Sequence, residues 1–148
     1  MDIGSMNILL KQAYNIINKR GLETKILNNY SFALAYNYNA FVISKGALEL
    51  DCQLEITLPK VYSVNKNNIS DALKVANEIN KNISIFKAIV EEGEVYFIAS
   101  IIKNDDSKLF EFVIMEVLDF MTGNKGLFID RMNEKKVINN QILKNIPF

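Results

Sequence analysis

Residues 68–121 constrain the fold most, because they read in one run as a helix, a hairpin and a second helix. The hairpin strands on either side of Glu91-Glu92-Gly93 do not alternate between apolar and polar. Ile83, Ile85 and Ile89 stand out of phase with Phe86, Ala88 and Val90, and Tyr96, Ile98 and Ile102 out of phase with Val95, Phe97, Ala99 and Ile101. A strand that is apolar on both faces is usually covered on both. The helix that follows is led by Asp105-Asp106 and has an apolar arc of roughly 200°, about twice the stripe of an ordinary surface helix. Lys108, Glu111, Glu116, Asp119 and Thr122 share its polar arc, and Phe112 and Met115 intrude on it. Such a unit needs a sheet to pair with. It also needs cover on the hairpin's second side, from another helix, the C-terminal tail or a partner chain.

The chain before this unit supplies a helix and strands. Leu10, Ala13, Tyr14 and Ile17 fall at i, i+3, i+4 and i+7, so residues 7–20 form a helix capped by Asn7 and ended by Gly21. From residue 22 the period becomes two. Tyr30, Phe32, Leu34, Tyr36 and Tyr38 alternate with small and polar residues, and Asn28-Asn29 and Asn37-Tyr38-Asn39 are turn signals. The cleanest alternation runs from Leu48 to Leu58, with Leu50, Cys52, Leu54 and Ile56 on the dry face and Glu49, Asp51, Gln53, Glu55 and Thr57 on the wet one. Pro59 is expected to close that strand, and Asn68 to cap the helix over Ile69, Ala72, Leu73, Ala76 and Ile79. After the long apolar helix, Gly123-Asn124-Lys125-Gly126 is expected to break it, with another helical piece over residues 127–136. The remainder, 136–148, with Ile138, Ile142 and Ile146 at i+4 spacing, is either a docked helix or a mobile tail. The expected class is α+β: an antiparallel sheet with helices packed on it, in the order α-β-β-β-α-β-β-α, plus a C-terminal helical tail. Residues 1–5 read as a cloning scar before Met6, and residues 6–148 as a single domain.

Composition removes several kinds of function. There is no His among 148 residues, which takes away the commonest general base and metal ligand. One Cys forms neither an internal disulfide nor a thiolate zinc cluster. Net charge is zero from 17 basic and 17 acidic side chains, which argues against nucleic acid or an anionic membrane as partner. No G-x-G loop occurs, no cofactor is implied, and no apolar run is of membrane-spanning length. A cytoplasmic location is the default expectation. The abundance of Asn, Ile and Lys fits an AT-rich bacterial genome.

Few side chains stand out for chemistry. Glu49, Asp51 and Glu55 line one wet strand face, where a carboxylate-based hydrolase would need a concave pocket and a solvated strand needs nothing further. Cys52 reads as a buried structural thiol. An apolar cavity lined by aromatics between sheet and helices would instead mark a small-ligand site. Tyr36 and Tyr38, close to a turn, suit anchors for a partner, and Tyr is favoured at interfaces. Tyr96 and Ile98, on the hairpin's surplus face, and Phe112 and Met115, on the long helix, complete the candidate protein-interaction set.

The element order, with the phrase VANEINKNISIFKAIVEEGEVYFIASI over residues 75–101, resembles the YbjN family of bacterial sensory-transduction regulators. The resemblance rests on an Asn late in the second helix (Asn77 or Asn80), a strand, the Glu92-Gly93 turn, a second strand and a long apolar helix led by acidic residues. That family shares its fold with the type III secretion chaperones, which are dimers holding an unfolded segment of another protein. The resemblance therefore implies a non-enzymatic, protein-binding role, chaperone-like or regulatory, with a homodimer among the outcomes. This sequence lacks the marked acidity of those chaperones. An immunity-type protein that blocks one specific partner is the alternative within the binding class.

Overall fold

The computed structural model describes residues 3–46 and 52–146. Asn7 Oδ1 accepts from the Leu9 N–H at 3.0 Å and starts α1 (Ile8–Lys19), whose Leu9, Leu10, Ala13 and Ile17 are buried. Gly21, at φ +86°, takes the left-handed turn out of the helix. Four strands follow: β1 (Thr24–Asn28), β2 (Ser31–Tyr36), β3 (Asn39–Lys45) and β4 (Gln53–Ser63). Then come α2 (Ile69–Asn82), β5 (Lys87–Glu91), β6 (Glu94–Ile102) and α3 (Ser107–Lys144). This is the expected order, with Thr24–Asn28 standing as a strand of its own. Among the described residues the strands make one antiparallel six-stranded sheet in the order β1-β2-β3-β4-β6-β5.

Two hairpin turns follow directly from residue type. Tyr36 pairs with Asn39, and the two residues between them, Asn37 and Tyr38, both have positive φ. Glu91 pairs with Glu94 around Glu92 and Gly93, again both positive. Two-residue loops of this kind match the twist of the strands they join, and Asn and Gly tolerate the conformation best.

Cross-strand pairing puts Ile26, Phe32, Ile43, Ile56 and Ala99 in one row on one face of the sheet. Leu34, Phe41, Leu54, Leu58, Phe97 and Ala88 join them on that face, and the core forms there against the buried sides of the three helices. α1 packs toward β1 and β3, α3 crosses β4 and β6, and α2 lies against β5. The outer edge of β5 is sealed by one side chain. Asn80 Oδ1 accepts from the Ala88 N–H at 2.7 Å and its Nδ2 donates to the Ala88 carbonyl at 2.9 Å. An amide side chain thus stands in for a neighbouring strand, which protects the edge from pairing with another chain.

Several expectations are corrected. Pro59 does not end its strand: β4 runs on to Ser63 through a register shift between Leu58 and Tyr62, with Lys60 at φ +54°. A bulge is where a central strand tolerates a residue without an N–H. Asn68 makes no side-chain cap to α2; its Oδ1 accepts from Asn65 N–H and its Nδ2 donates to the Ser63 carbonyl, tying the preceding turn. Of the alternating row, Phe32, Leu34 and Tyr36 lie in a strand and Tyr38 in the expected turn, while Tyr30 sits in the turn before β2 and not in the strand. Cys52 is half-buried in a turn ahead of β4, not on a strand's dry face. Leu48, Glu49, Leu50 and Asp51 lie outside the described residues.

The largest correction concerns α3, which passes through Gly123 and Gly126 without a break and continues to Lys144. Phe128, two residues beyond Gly126, is fully buried, with its ring 5.8 Å from that of Tyr62 and 6.4 Å from that of Phe97. Met132 is buried one turn further on. Tertiary packing here outweighs the poor helix propensity of glycine.

Candidate protein-interaction surface

All three helices use the same face of the sheet, so the other face is open. Pairing builds a second row there: Lys25, Ala33, Val42, Thr57, Ile98 and Lys87, across all six strands. Ala35 and Ala40 flank it on one side, together with the pair Tyr96 and Ile89. Ser44, Glu55 and Ser100 flank it on the other, followed by Ile102, which is 72% exposed. The surface is mostly small and uncharged at its centre and more strongly apolar over β5 and β6, with a lysine at each end of the row. It is the surplus apolar face of the hairpin, and no element among the described residues covers it.

The six candidate interaction residues fall in different places. Tyr96 and Ile98 share the open sheet face, half-buried among their neighbours. Tyr38 is fully exposed at the tip of the β2–β3 hairpin. Phe112 is 60% exposed on the outward side of α3. Tyr36 lies on the helix side of the sheet, where its hydroxyl donates to Asp119 of α3. Lys125 Nζ donates to Asn39 Oδ1 at 2.8 Å, so two polar ties pin this hairpin to α3. Met115 is buried and therefore belongs to the core of the single chain. Phe112 is joined on the outside of α3 by Leu109 and Phe120, which belong to the apolar arc expected to be buried, and by Leu127. Ile102 carried a legible signal, since it shares the phase of Tyr96 and Ile98.

The titrating groups point to structure more than to chemistry. Donation to the Asp119 carboxylate holds the Tyr36 proton and raises its pKa, and donation to Glu91 at 2.9 Å does the same for Tyr96. Neither hydroxyl is prepared as a nucleophile. Glu55 sits between Ser44 and Ser100 on the open sheet face. Its proposed companions, Glu49 and Asp51, lie outside the described residues. Among the described residues no group of three or more His, Cys, Asp or Glu is placed to hold a metal ion. The space between sheet and helices is filled by Phe32, Phe41, Phe86, Phe97 and Phe128. The clefts lie at the margins, such as one of about 260 Å³ between α1 and the start of α3, lined by Gln12, Asn15, Asn104 and Phe110. No helix among the described residues is long and apolar enough to cross a membrane.

No family model matches the chain, and no curated protein matches it significantly. The fold does have solved counterparts. The chain superposes on YbjN from E. coli, a proposed transcription regulator, with a TM-score of 0.63 at 9% identity, covering 85% of this chain and 93% of that one. It superposes on the Yersinia pestis type III secretion chaperone SycH, solved in complex with a stable fragment of YscM2, with a TM-score of 0.52 at 10% identity. That match covers 78% of this chain and 98% of the chaperone. At these identities the likeness is one of fold. The chain has the α+β fold of YbjN and of SycH-type chaperones.

Proposed function

We propose that this chain is a YbjN-like, non-enzymatic protein that binds a segment of another protein on the open face of its sheet. The observation that carries the reading is the uncovered row Ala33, Val42, Thr57 and Ile98 with Tyr96, Ile89 and Ile102 beside it. Contiguous exposed apolar surface rimmed by polar groups is where a partner gains most from excluding water. Small side chains over β2 and β3 let a segment approach the backbone, and Tyr96, Ile98 and Ile102 supply the larger contacts. The SycH chain was solved with a fragment of another protein bound, which supports a holding role for this fold. The role is chaperone-like or regulatory, in a bacterial cytoplasm, and the working form is a homodimer.

Affinity capture from an extract of the native host tests the reading, comparing the wild-type chain with Ile98→Glu at matched thermal stability. One protein retained by the wild type and lost by the variant is the expected result. Equal retention by both would remove the sheet face from the proposal. The identity of the retained protein separates a chaperone client from the target of an immunity-type inhibitor.

A further inference from the structure

We propose that the outward side of α3 docks a basic amphipathic helix of another protein, one that carries a lysine or arginine seven residues to either side of a large apolar residue. This surface lies apart from the open sheet face, and the inference does not rest on that reading. Leu109, Glu116, Gly123, Asp130 and Val137 follow one another at seven-residue steps, so they form one line along α3. Phe112, Phe120, Leu127 and Glu134 stand beside that line at steps of three and four. The apolar members, Leu109, Phe112, Phe120, Leu127 and Val137, are all exposed at 41% or more. They are turned away from the buried Phe110, Ile114, Met121 and Phe128. At 1.5 Å per residue the strip is about 42 Å long, and a partner helix laid along it buries on the order of 1,000 Å² in total, which suits a reversible contact.

Two features choose the occupant. The first is charge. Glu116, Asp130 and Glu134 sit among the apolar side chains, and none has an ion-pair or hydrogen-bond partner among the described residues. No basic side chain joins them on the strip. Lys125 donates to Asn39, Arg131 turns to Glu78, and Lys136 lines the cleft that holds Tyr62 and Asp71. The half-buried Lys135 falls on the packed side, three residues after the buried Met132. An uncharged occupant would leave the carboxylates desolvated and unpaired, which is strongly disfavoured. A second copy offers no cation either. Laid parallel it sets Glu116 against Glu116, and laid antiparallel about Gly123 it sets Glu116 against Asp130. A basic helix supplies the missing partners. The second feature is Gly123, at the midpoint of the line, where nothing lies within 4 Å of the position its Cβ would take. Packing within the chain gives no reason for a glycine there, and glycine weakens the helix. On the strip it leaves a notch between Phe120 and Leu127 that a large side chain of a helix lying alongside can enter. Helices side by side advance equally per residue. An apolar residue seated at Gly123 therefore brings the residues seven positions away level with Glu116 and Asp130, about 10 Å to either side.

The test uses the full chain and three dye-labelled helical peptides, read by fluorescence anisotropy. The first carries arginines seven residues to either side of a leucine on an apolar face. The second has glutamates at those two positions, and the third has the composition of the first with its arginines moved to the opposite face. The first is expected to bind at least about tenfold more tightly than either of the others. Gly123→Leu is expected to weaken that binding about tenfold with a melting temperature equal to or above that of the wild type, because leucine suits a helix better and meets nothing within the chain. Glu116→Gln combined with Asp130→Asn is expected to abolish the preference for arginine over glutamate. Ile98→Glu is expected to bind the first peptide as the wild type does. No binding of the first peptide at high micromolar concentration, equal binding of the first and third, or binding insensitive to both α3 variants overturns the proposal. Loss of binding in Ile98→Glu would move the peptide to the sheet face and overturn it as well. Self-association of the wild type that Gly123→Leu abolishes would make a second copy the occupant and overturn the basic partner.

Discussion

Truncating Phe128 to alanine should convert one continuous helix into a helix and a loose tail. Two glycines within a turn, Gly123 and Gly126, each cost α3 about 1 kcal/mol relative to alanine, so about 2 kcal/mol works against continuity. Neither gains packing in return, since nothing lies within 4 Å of a Cβ at either site. The polar ties nearby are weak: Asn124 Nδ2 bonds the Phe120 carbonyl within the same helix, and Asn139 meets Asp71 at 3.1 Å in an exposed pair. Phe128 is the large anchor, fully buried against Tyr62 and Phe97. Removing such a ring costs about 3–5 kcal/mol, which exceeds the glycine deficit and reverses the local balance. Hydrogen exchange read by mass spectrometry on Phe128→Ala should show residues 125–144 losing protection while β4, β6 and residues 110–121 keep it. A urea titration should show a global loss of about 3 kcal/mol or more. Adding Gly126→Ala should restore about 0.5–1 kcal/mol of the lost stability. Unchanged protection beyond residue 125, with a loss under about 1 kcal/mol, would refute the view that packing holds the helix together here.

Other perturbations probe separate joints. Asn80→Ala removes both bonds to Ala88 and leaves a strand edge unsatisfied. It should cost about 1–3 kcal/mol in denaturant melts and increase aggregation, and a neutral, fully soluble variant would contradict the edge-sealing role. Asp106→Ala should destabilise by about 0.5–2 kcal/mol, because Asp106 Oδ1 accepts from the N–H groups of Lys108 and Leu109 at the start of α3. Tyr36 gives a pH signature. Its folded pKa is raised above 10.0 by donation to Asp119, so its contribution is fully present below that pH and is lost as pH rises through the folded value. Wild type should therefore lose stability more steeply than Tyr36→Phe above pH 10, and parallel curves would refute the linkage.

The parts of this fold that were legible in the sequence are those decided locally. Asn7 and Asp106 cap helices through side chains two or three residues away, and Asn37 and Gly93 enter turns their own backbones tolerate. The period of two in β2 and β4 identified Phe32, Leu34, Leu54, Ile56 and Leu58, all of which are buried. The parts that were not legible depend on residues distant in the chain. Nothing local to Pro59 announces that the strand resumes after it. Nothing near Gly126 announces that Phe128 will meet Phe97. Asn80 reads in the sequence only as a late helical Asn, because its partner is the edge of a strand eight residues on. Phe112 and Met115 are indistinguishable by sequence, each an apolar residue near a polar arc; the packed side of α3 takes in Met115 and leaves Phe112 outside.

The doubly apolar hairpin required cover on two sides and received it on one. The reason lies in strand order: β6 inserts between β4 and β5, so β5 becomes an edge and α2 turns against it through Asn80. All three helices then share one face of the sheet. The open row therefore points away from all three helices, and a segment held there meets only strand residues. Light scattering of the complex with a captured partner should give one bound segment per chain, and Ile98→Glu should abolish the bound segment without changing the mass of the free protein. A segment retained undiminished by Ile98→Glu would mean that it is held somewhere other than on the sheet face.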